Sequence, residues 1–149
     1  LVVVGDGPLY SRLWREHPDV VFCGARRGED LAEHYAAADF FLFPSQTETY
    51  GNVVLEAMAS GLPVVAFDYA APRDMITPGH DGLLVPMGDR QAFVEAAARL
   101  AATPGLAERL GRAARQRAEQ RDWSAVIEQF EAVLYSALGE GAPLWATTP

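Results

Sequence analysis

Five short apolar runs alternate with longer segments of helical periodicity, and this alternation restricts the chain to a small set of folds. The runs cover residues 1–4, 20–23, 40–43, 63–67 and 83–86, and they are apolar at every position. Strands that are apolar throughout are typical of parallel sheets buried on both faces. Such strands, separated by helices, predict an α/β domain with a doubly wound, Rossmann-like parallel sheet.

Caps and breakers set the expected helix boundaries. Asn52 is a favourable N-cap, and Gly61 and Pro63 end the helix behind it. The chain opens directly in a strand, so we expect a fragment of a longer protein, with one domain over residues 1–138 that is incomplete at its N-terminus. Residues 139–149 have no periodicity and are predicted to be a mobile tail. The predicted helices cover 9–16, a segment that begins near residue 29 or 30, and 52–60, 74–77, 90–102, 105–120 and 124–138.

Composition excludes several classes of partner. The 149 residues carry a formal net charge of −8, and every one of the twelve basic residues is arginine. An acidic chain has no long-range attraction to nucleic acid or anionic lipid, so an anionic ligand must be held by local contacts. Cys23 is the single cysteine, which excludes an internal disulfide. No apolar run approaches the ~20 residues of a membrane helix, and a cytoplasmic location is expected.

Two glutamates flank a glycine and a predicted helix start. Glu56 lies in an otherwise apolar helix, and Glu48 lies in the preceding loop. Amides around Gly51 to Val54 would form an anion site between them, since helix starts expose unpaired N–H groups. This order of acceptor, donors and acceptor matches the ribose, diphosphate and sugar of a nucleotide sugar. The alternatives are a Glu56 that pairs with an arginine or points into a crevice, and a Glu48 that is an ordinary solvated loop residue.

The stretch "ETYGNVVLEAMASGLPVV" resembles the E-x7-E signature of the retaining family 4 glycosyltransferases, which have the two-domain GT-B fold. The flanking segments "VVVGDGPL", "VVFCGARRGEDLAEHYAAADFFLFPSQTE" and "GHDGLLVP" are similar to the same family in the same order. The resemblance covers roughly residues 1–138. It implies the C-terminal, nucleotide-sugar-binding half of such an enzyme, which moves a sugar from a nucleoside diphosphate to an acceptor hydroxyl.

The resemblance also implies roles for individual residues. Glu56 would bind the ribose hydroxyls, and Glu48 would be the catalytic residue beside the transferred sugar. Amides near Tyr50 would meet the sugar and diphosphate, and the segment after the second strand would line the base pocket. The substrate-binding residues expected in this way are Gly24, Ala25, Arg26, Thr49, Tyr50, Gly51, Asn52, Val53 and Glu56.

The resemblance further implies the ligands and partners. A nucleoside-diphosphate sugar is the expected donor, no metal or other cofactor is expected, and nucleic acid is not a partner. The N-terminal acceptor domain of the same protein is the expected missing partner, and any peripheral membrane contact would be made only through it. Because the family's active site lies between the two domains, the isolated chain should be inactive.

This chain departs from the family pattern in two places. The arginine and lysine that usually clamp the diphosphate belong to a segment before the first strand and are absent. Ala70, Ala71 and Asp74 replace the two glycines and the glutamate that commonly follow the fourth strand. Two alternatives to a donor-binding domain remain at this stage: a non-catalytic nucleotide-binding or interaction module, and another GT-B enzyme such as a nucleotide-sugar epimerase or phosphorylase.

Overall fold

The structure is a computed structural model that describes residues 1–47, 50–121 and 123–138. Strands and helices alternate along the first part of the chain, and three helices follow the last strand. The predicted tail at residues 139–149 lies outside the described residues. In chain order the elements are β1 (Val2–Val4), α1 (Tyr10–Glu16), β2 (Val21–Gly24), α2 (Gly28–Ala36), β3 (Phe41–Phe43), α3 (Asn52–Ala59), β4 (Val64–Phe67), α4 (Ala70–Met75), β5 (Gly82–Val85), α5 (Arg90–Ala102), α6 (Leu106–Glu119) and α7 (Trp123–Leu138).

All strand pairing between these elements is parallel, as the sequence predicts. β1 pairs with β2, and Val2 lies opposite Val21. β3, β4 and β5 form a second sheet in that order, in which Val64 lies between Phe41 and Gly82. The expected α/β class is therefore confirmed, with the pairing divided between a two-stranded and a three-stranded sheet.

The core lies around β4, whose four residues are all buried. Side chains alternate between the two faces of a strand, so β4 contributes to two apolar clusters. Val64 and Ala66 pack on one face with α3 and α6, through residues such as Met58. Val65 and Phe67 pack on the other face with α5 and the start of α6. This packing fixes α3, and with it Glu56, relative to the sheet.

The N-terminal strands are exposed, which corrects the prediction that these apolar runs are buried on both faces. Val2 is 55% exposed and Val21 is 57% exposed. No residue of the described segment 1–47 is buried. The apolar side chains of β1 and β2 are therefore at most partly buried within the described part of the chain, as where the Phe22 ring packs against Tyr10.

Two helices, α3 and α4, differ from the predictions in ways that bear on the site, and the other helix ends agree to within about two residues. The N-cap of α3 is Gly51, and Asn52 is the first helical residue. Gly51 takes this place because its φ of 76° turns the chain into the helix without a Cβ clash. The helix predicted near residues 74–77 instead begins at Ala70 and ends at Met75. Among the described residues, no helix is long and apolar enough to cross a lipid bilayer.

Candidate donor-binding site

The candidate site begins where β1 and β2 end. The amide of Gly5 donates to the carbonyl of Gly24 at 2.8 Å, which joins the loops that follow the two strands. Ala25 and Arg26 come next and are exposed. The guanidinium of Arg26 contacts the Asp30 carboxylate at 3.0 Å, four residues along the chain. Because both side chains are well exposed, this ion pair contributes little to stability, and a ligand could replace it at small cost.

The start of α3 presents fewer free amides than the sequence suggests. Val54 and Leu55 both donate to the Gly51 carbonyl, at 2.9 and 3.1 Å. The predicted donor cluster therefore loses Val54. For the amides of Asn52 and Val53, no acceptor lies among the described residues. These two residues are exposed, so their N–H groups can reach an anion, and the helix dipole favours one there.

Gly51 itself is buried, and the close approach that it allows is to another helix of the protein, α4. A Cβ built on Gly51 would lie 2.6 Å from the Cβ of Ala71 in α4. The glycine thus allows α4 to pack against the start of α3. Ala71 is one of the two alanines that replace family glycines, and the other, Ala70, has a positive φ of 45°. The loop after β4 therefore keeps a backbone conformation that favours glycine.

Glu56 lies on the exposed side of α3, four residues after Asn52. Residues four apart share a helix face, so the Glu56 side chain lies on the same face as Asn52, whose free amide is at the start of that face. Val54, Ala57 and Met58 occupy the buried side. The apolar helix is therefore not buried all round, and Glu56 needs no buried counter-ion. Among the described residues no arginine pairs with it, in contrast to the alternative considered above.

A tyrosine that the sequence did not single out contacts Glu56. The hydroxyl of Tyr35, in α2, donates to Oε2 of Glu56 at 3.2 Å. Partial burial, and then the charge and hydrogen bond of Glu56, raise the pKa of Tyr35 to about 12. The hydroxyl therefore keeps its proton at neutral pH and acts as a donor to the carboxylate. The two residues are 21 positions apart, which is why local spacing gives no sign of this contact.

The remaining predicted site residues fall into two groups. Glu48 and Thr49 lie outside the described residues, so their predicted roles stay predictions. Tyr50 is 57% exposed, beside the start of α3. No group of three or more metal-ligating His, Cys, Asp or Glu side chains occurs in the described ranges.

The loop after β4 borders a second open space. Arg73 donates from Nε to the Asp68 carboxylate at 2.8 Å and from Nη2 to the Asp68 carbonyl at 2.7 Å. Both residues line a cleft of about 490 Å³, together with Pro78 and Met87. Arg73 is thus held against its own loop and does not point toward α3 as an unpaired cation.

Comparison with curated proteins gives relatives that are clearly similar in sequence. A GDP-mannose-dependent alpha-mannosyltransferase of Mycobacterium tuberculosis is 44% identical over 131 residues, which cover 87% of this chain and 34% of the relative. A protein of the same name from Mycolicibacterium smegmatis is 43% identical over 140 residues, covering 90% and 36%. The chain therefore spans about a third of the length of these relatives.

Comparison with solved structures agrees on the fold. Anabaena HepE, solved in complex with UDP-glucose, superposes with a TM-score of 0.75 at 26% identity, covering 91% of this chain and 40% of HepE. The galactosyltransferase WaaB superposes with a TM-score of 0.78 at 23% identity, covering 92% and 40%. The family model described as glycosyl transferases group 1 matches residues 1–103. More than half of the chain fits that model, and the chain belongs to the group 1 glycosyl transferases.

Proposed function

We propose that this chain is the nucleotide-sugar-binding domain of a retaining glycosyltransferase, and that the complete protein transfers a hexosyl group to an acceptor hydroxyl. The observation that carries the proposal is the shared exposed face of α3. Two amides without an acceptor among the described residues, from Asn52 and Val53, lie there with the Glu56 carboxylate. Membership of the group 1 glycosyl transferases supports the same function.

Each part of this face fits one part of the donor. The diphosphate accepts hydrogen bonds from the amides at the helix start, where the helix dipole adds about 0.3–1 kcal/mol. About one helical turn further on, Glu56 accepts hydrogen bonds from the ribose hydroxyls. Hydrogen bonds to a charged group contribute about 1.5–3 kcal/mol each where water is excluded. The same amides stabilise the negative charge that develops on the diphosphate as the glycosidic bond breaks.

The proposal extends to the mechanism. In this proposal Glu48 acts beside the transferred sugar and supports the positive charge that develops at the anomeric carbon. Transfer retains the anomeric configuration and needs no metal ion. The acceptor is held by a part of the protein outside these 149 residues, so the isolated chain binds the donor without turnover.

GDP-mannose is the donor we propose first. Three relatives that are between 36% and 44% identical are named GDP-mannose-dependent alpha-mannosyltransferases. HepE, at 26% identity, was solved with UDP-glucose. The direct comparison is therefore a guanosine donor against a uridine donor, with the same protein preparation.

The test is a thermal-shift panel of nucleotide sugars on the complete protein, followed by an assay of transfer. Ligand that binds only the folded state raises the melting temperature by mass action. GDP-mannose should give the largest rise, Glu56→Ala should remove most of it, and activity should survive a chelator. A panel in which no nucleotide sugar has an effect at millimolar concentration would contradict the proposal and favour an interaction module. Turnover by residues 1–149 alone would contradict the proposal that the acceptor is held by a part of the protein outside these residues.

A further inference from the structure

We propose that Tyr35 is a positioning residue for donor binding: its hydroxyl holds the Glu56 carboxylate in the orientation that receives the ribose hydroxyls. The inference rests on the proposed function and adds to it a residue on a different helix. Tyr35 belongs to α2, and Glu56 belongs to α3. The hydrogen bond thus allows a residue of α2 to orient a carboxylate of α3.

The ring of Tyr35 is fixed by aromatic neighbours. It packs edge-on against Phe41, with the ring centroids 5.8 Å apart and the planes at 63°. Phe41 in turn stacks on Phe43 at 6.1 Å. Aromatic pairs in this geometry are favourable beyond the area that they bury. The ring therefore stays in place without help from its hydroxyl, and the hydroxyl is carried on a rigid support.

Glu56, in contrast, has little to hold it. Its side chain is exposed, and its described side-chain hydrogen bond is the one from Tyr35 at 3.2 Å. A free glutamate on a helix surface samples several rotamers, and ordering such a side chain on binding costs conformational entropy. The Tyr35 hydroxyl reduces this cost by selecting one carboxylate orientation before the ligand arrives.

The carboxylate keeps enough acceptor sites for the ligand. An ionised carboxylate has two oxygens with about four lone-pair directions. Tyr35 occupies one direction on Oε2, which leaves Oε1 and the second direction of Oε2 for the two ribose hydroxyls. Because the phenol keeps its proton, the contact remains a donation from tyrosine to carboxylate. Tyr35 therefore orients Glu56 without competing with a nucleotide.

Tyr35→Phe separates this role from simple packing, because it removes the hydroxyl and keeps the ring against Phe41. The complete protein is titrated with GDP and UDP, and in parallel with their dideoxy analogues, which lack both ribose hydroxyls. We expect Tyr35→Phe to weaken binding of the normal nucleotide about three- to tenfold. Binding of the dideoxy analogue should not change, and Tyr35→Phe should have no further effect in a Glu56→Ala background.

Tyr10→Phe is the matched control. The Tyr10 hydroxyl also donates to a distant oxygen, the Phe22 carbonyl at 3.3 Å, and its ring also packs edge-on, against Phe22 at 5.7 Å. Tyr10 makes no described contact with Glu56, so Tyr10→Phe should bind both nucleotides like the wild type. Melting temperatures of both variants report whether the fold is retained.

The outcomes separate the inference from the proposed function. If Tyr35→Phe binds like the wild type while Glu56→Ala weakens binding, the positioning role is wrong and the donor-binding function stands. An equal loss for the normal and the dideoxy nucleotide would assign Tyr35 a general structural role and also overturn the inference. If the wild-type protein binds neither GDP nor UDP at millimolar concentration, the proposed function itself fails.

Discussion

At the scale of single residues, Gly51 meets two separate demands, and replacing it tests both. Its φ of 76° lies in the left-handed region, where a Cβ costs about 1–2 kcal/mol. A Cβ there would also lie 2.6 Å from Ala71, and overpacking of this kind costs about 1–3 kcal/mol. We therefore expect Gly51→Ala to lower the free energy of unfolding by about 1–4.5 kcal/mol in denaturant titrations, once the entropy gained in the unfolded chain is subtracted.

Gly105 provides the control for that substitution. It is also the N-cap of a helix, with a φ of 71°, but a Cβ built on it meets nothing within 4 Å. Gly105→Ala should therefore cost only the backbone part, about 1 kcal/mol after the entropy gained in the unfolded chain is subtracted. Equal losses for the two variants would show that the contact with Ala71 contributes nothing.

The Tyr35 hydroxyl makes the free energy of unfolding depend on pH in the alkaline range. Its pKa is raised from 10.0 to about 12 in the folded protein, so the folded state holds the proton more tightly than the unfolded state. This contribution is fully present below pH 10 and is lost as the pH rises toward 12. Compared with Tyr35→Phe, the wild-type protein should lose unfolding free energy across this window.

Denaturant titrations of the wild type and of Tyr35→Phe on each side of pH 10 measure this difference in unfolding free energy. Glu56→Gln should reduce the pH dependence only in part, because burial is the largest cause of the raised Tyr35 pKa and the charge of Glu56 comes second. A wild-type curve parallel to that of Tyr35→Phe would contradict the assignment.

Residues differ in how far the sequence could predict their roles. The roles of Glu56 and Gly51 can be predicted because a carboxylate and a glycine are conspicuous in an apolar run. The role of Tyr35 cannot be predicted in this way, because its partner is 21 residues away and one tyrosine in a helix gives no local pattern. The crowding of Gly51 by Ala71 is likewise hidden, since it depends on how α4 packs against α3.

At the scale of elements, boundaries are predicted best where a breaker and an apolar run coincide. α5 occupies Arg90–Ala102, as predicted, and Asp89 caps it by accepting a hydrogen bond from the Ala92 amide. The sequence predicts α4 at residues 74–77, too late by one turn, because Pro72 is often found in a loop. Pro72 is in fact compatible with the first turn of a helix, where its missing N–H is not needed.

The packing of α6 depends on a charge contact that periodicity cannot reveal. Asp81, before β5, is 1% exposed; its Oδ1 accepts from the Thr77 amide at 2.6 Å. Its Oδ2 lies 3.7 Å from Nε of Arg117 in α6, and that Nε donates its hydrogen bond to the Met75 carbonyl. Arg117→Met removes both contacts and should destabilise the protein by about 1–3 kcal/mol. This is less than the 3–5 kcal/mol typical of a fully buried pair, because Arg117 is 37% exposed.

Arg115→Met is the matched variant for this contact. Arg115 lies on the same helix and pairs with Glu119 at 3.0 Å, with both side chains more than 60% exposed. Such surface pairs contribute about 0–1 kcal/mol, so the two substitutions should differ clearly in urea titrations. If Arg115→Met and Arg117→Met cost the same, the buried carboxylate is stabilised without Arg117.

At the scale of the whole molecule, burial is distributed unevenly along the chain. Among the residues whose burial the structure describes, all the buried apolar ones lie between Val54 and Ala114. Within the described part of the chain, β1 and β2 pair only with each other. The free energy that opposes local opening comes mainly from buried apolar contacts, so the two sheets should differ widely in local stability although both have parallel pairing and apolar sequences.

Hydrogen exchange on residues 1–149 measures this difference directly. Amides of β4, whose side chains are all buried, should exchange only through global unfolding. Amides of β1 and β2, where Val2 and Val21 are more than half exposed, should exchange through local opening and at least tenfold faster. In the longer protein proposed above, added contacts should slow exchange in β1 and β2 and leave β4 unchanged. Equal protection of both sheets in residues 1–149 would show that β1 and β2 are stabilised without a buried core.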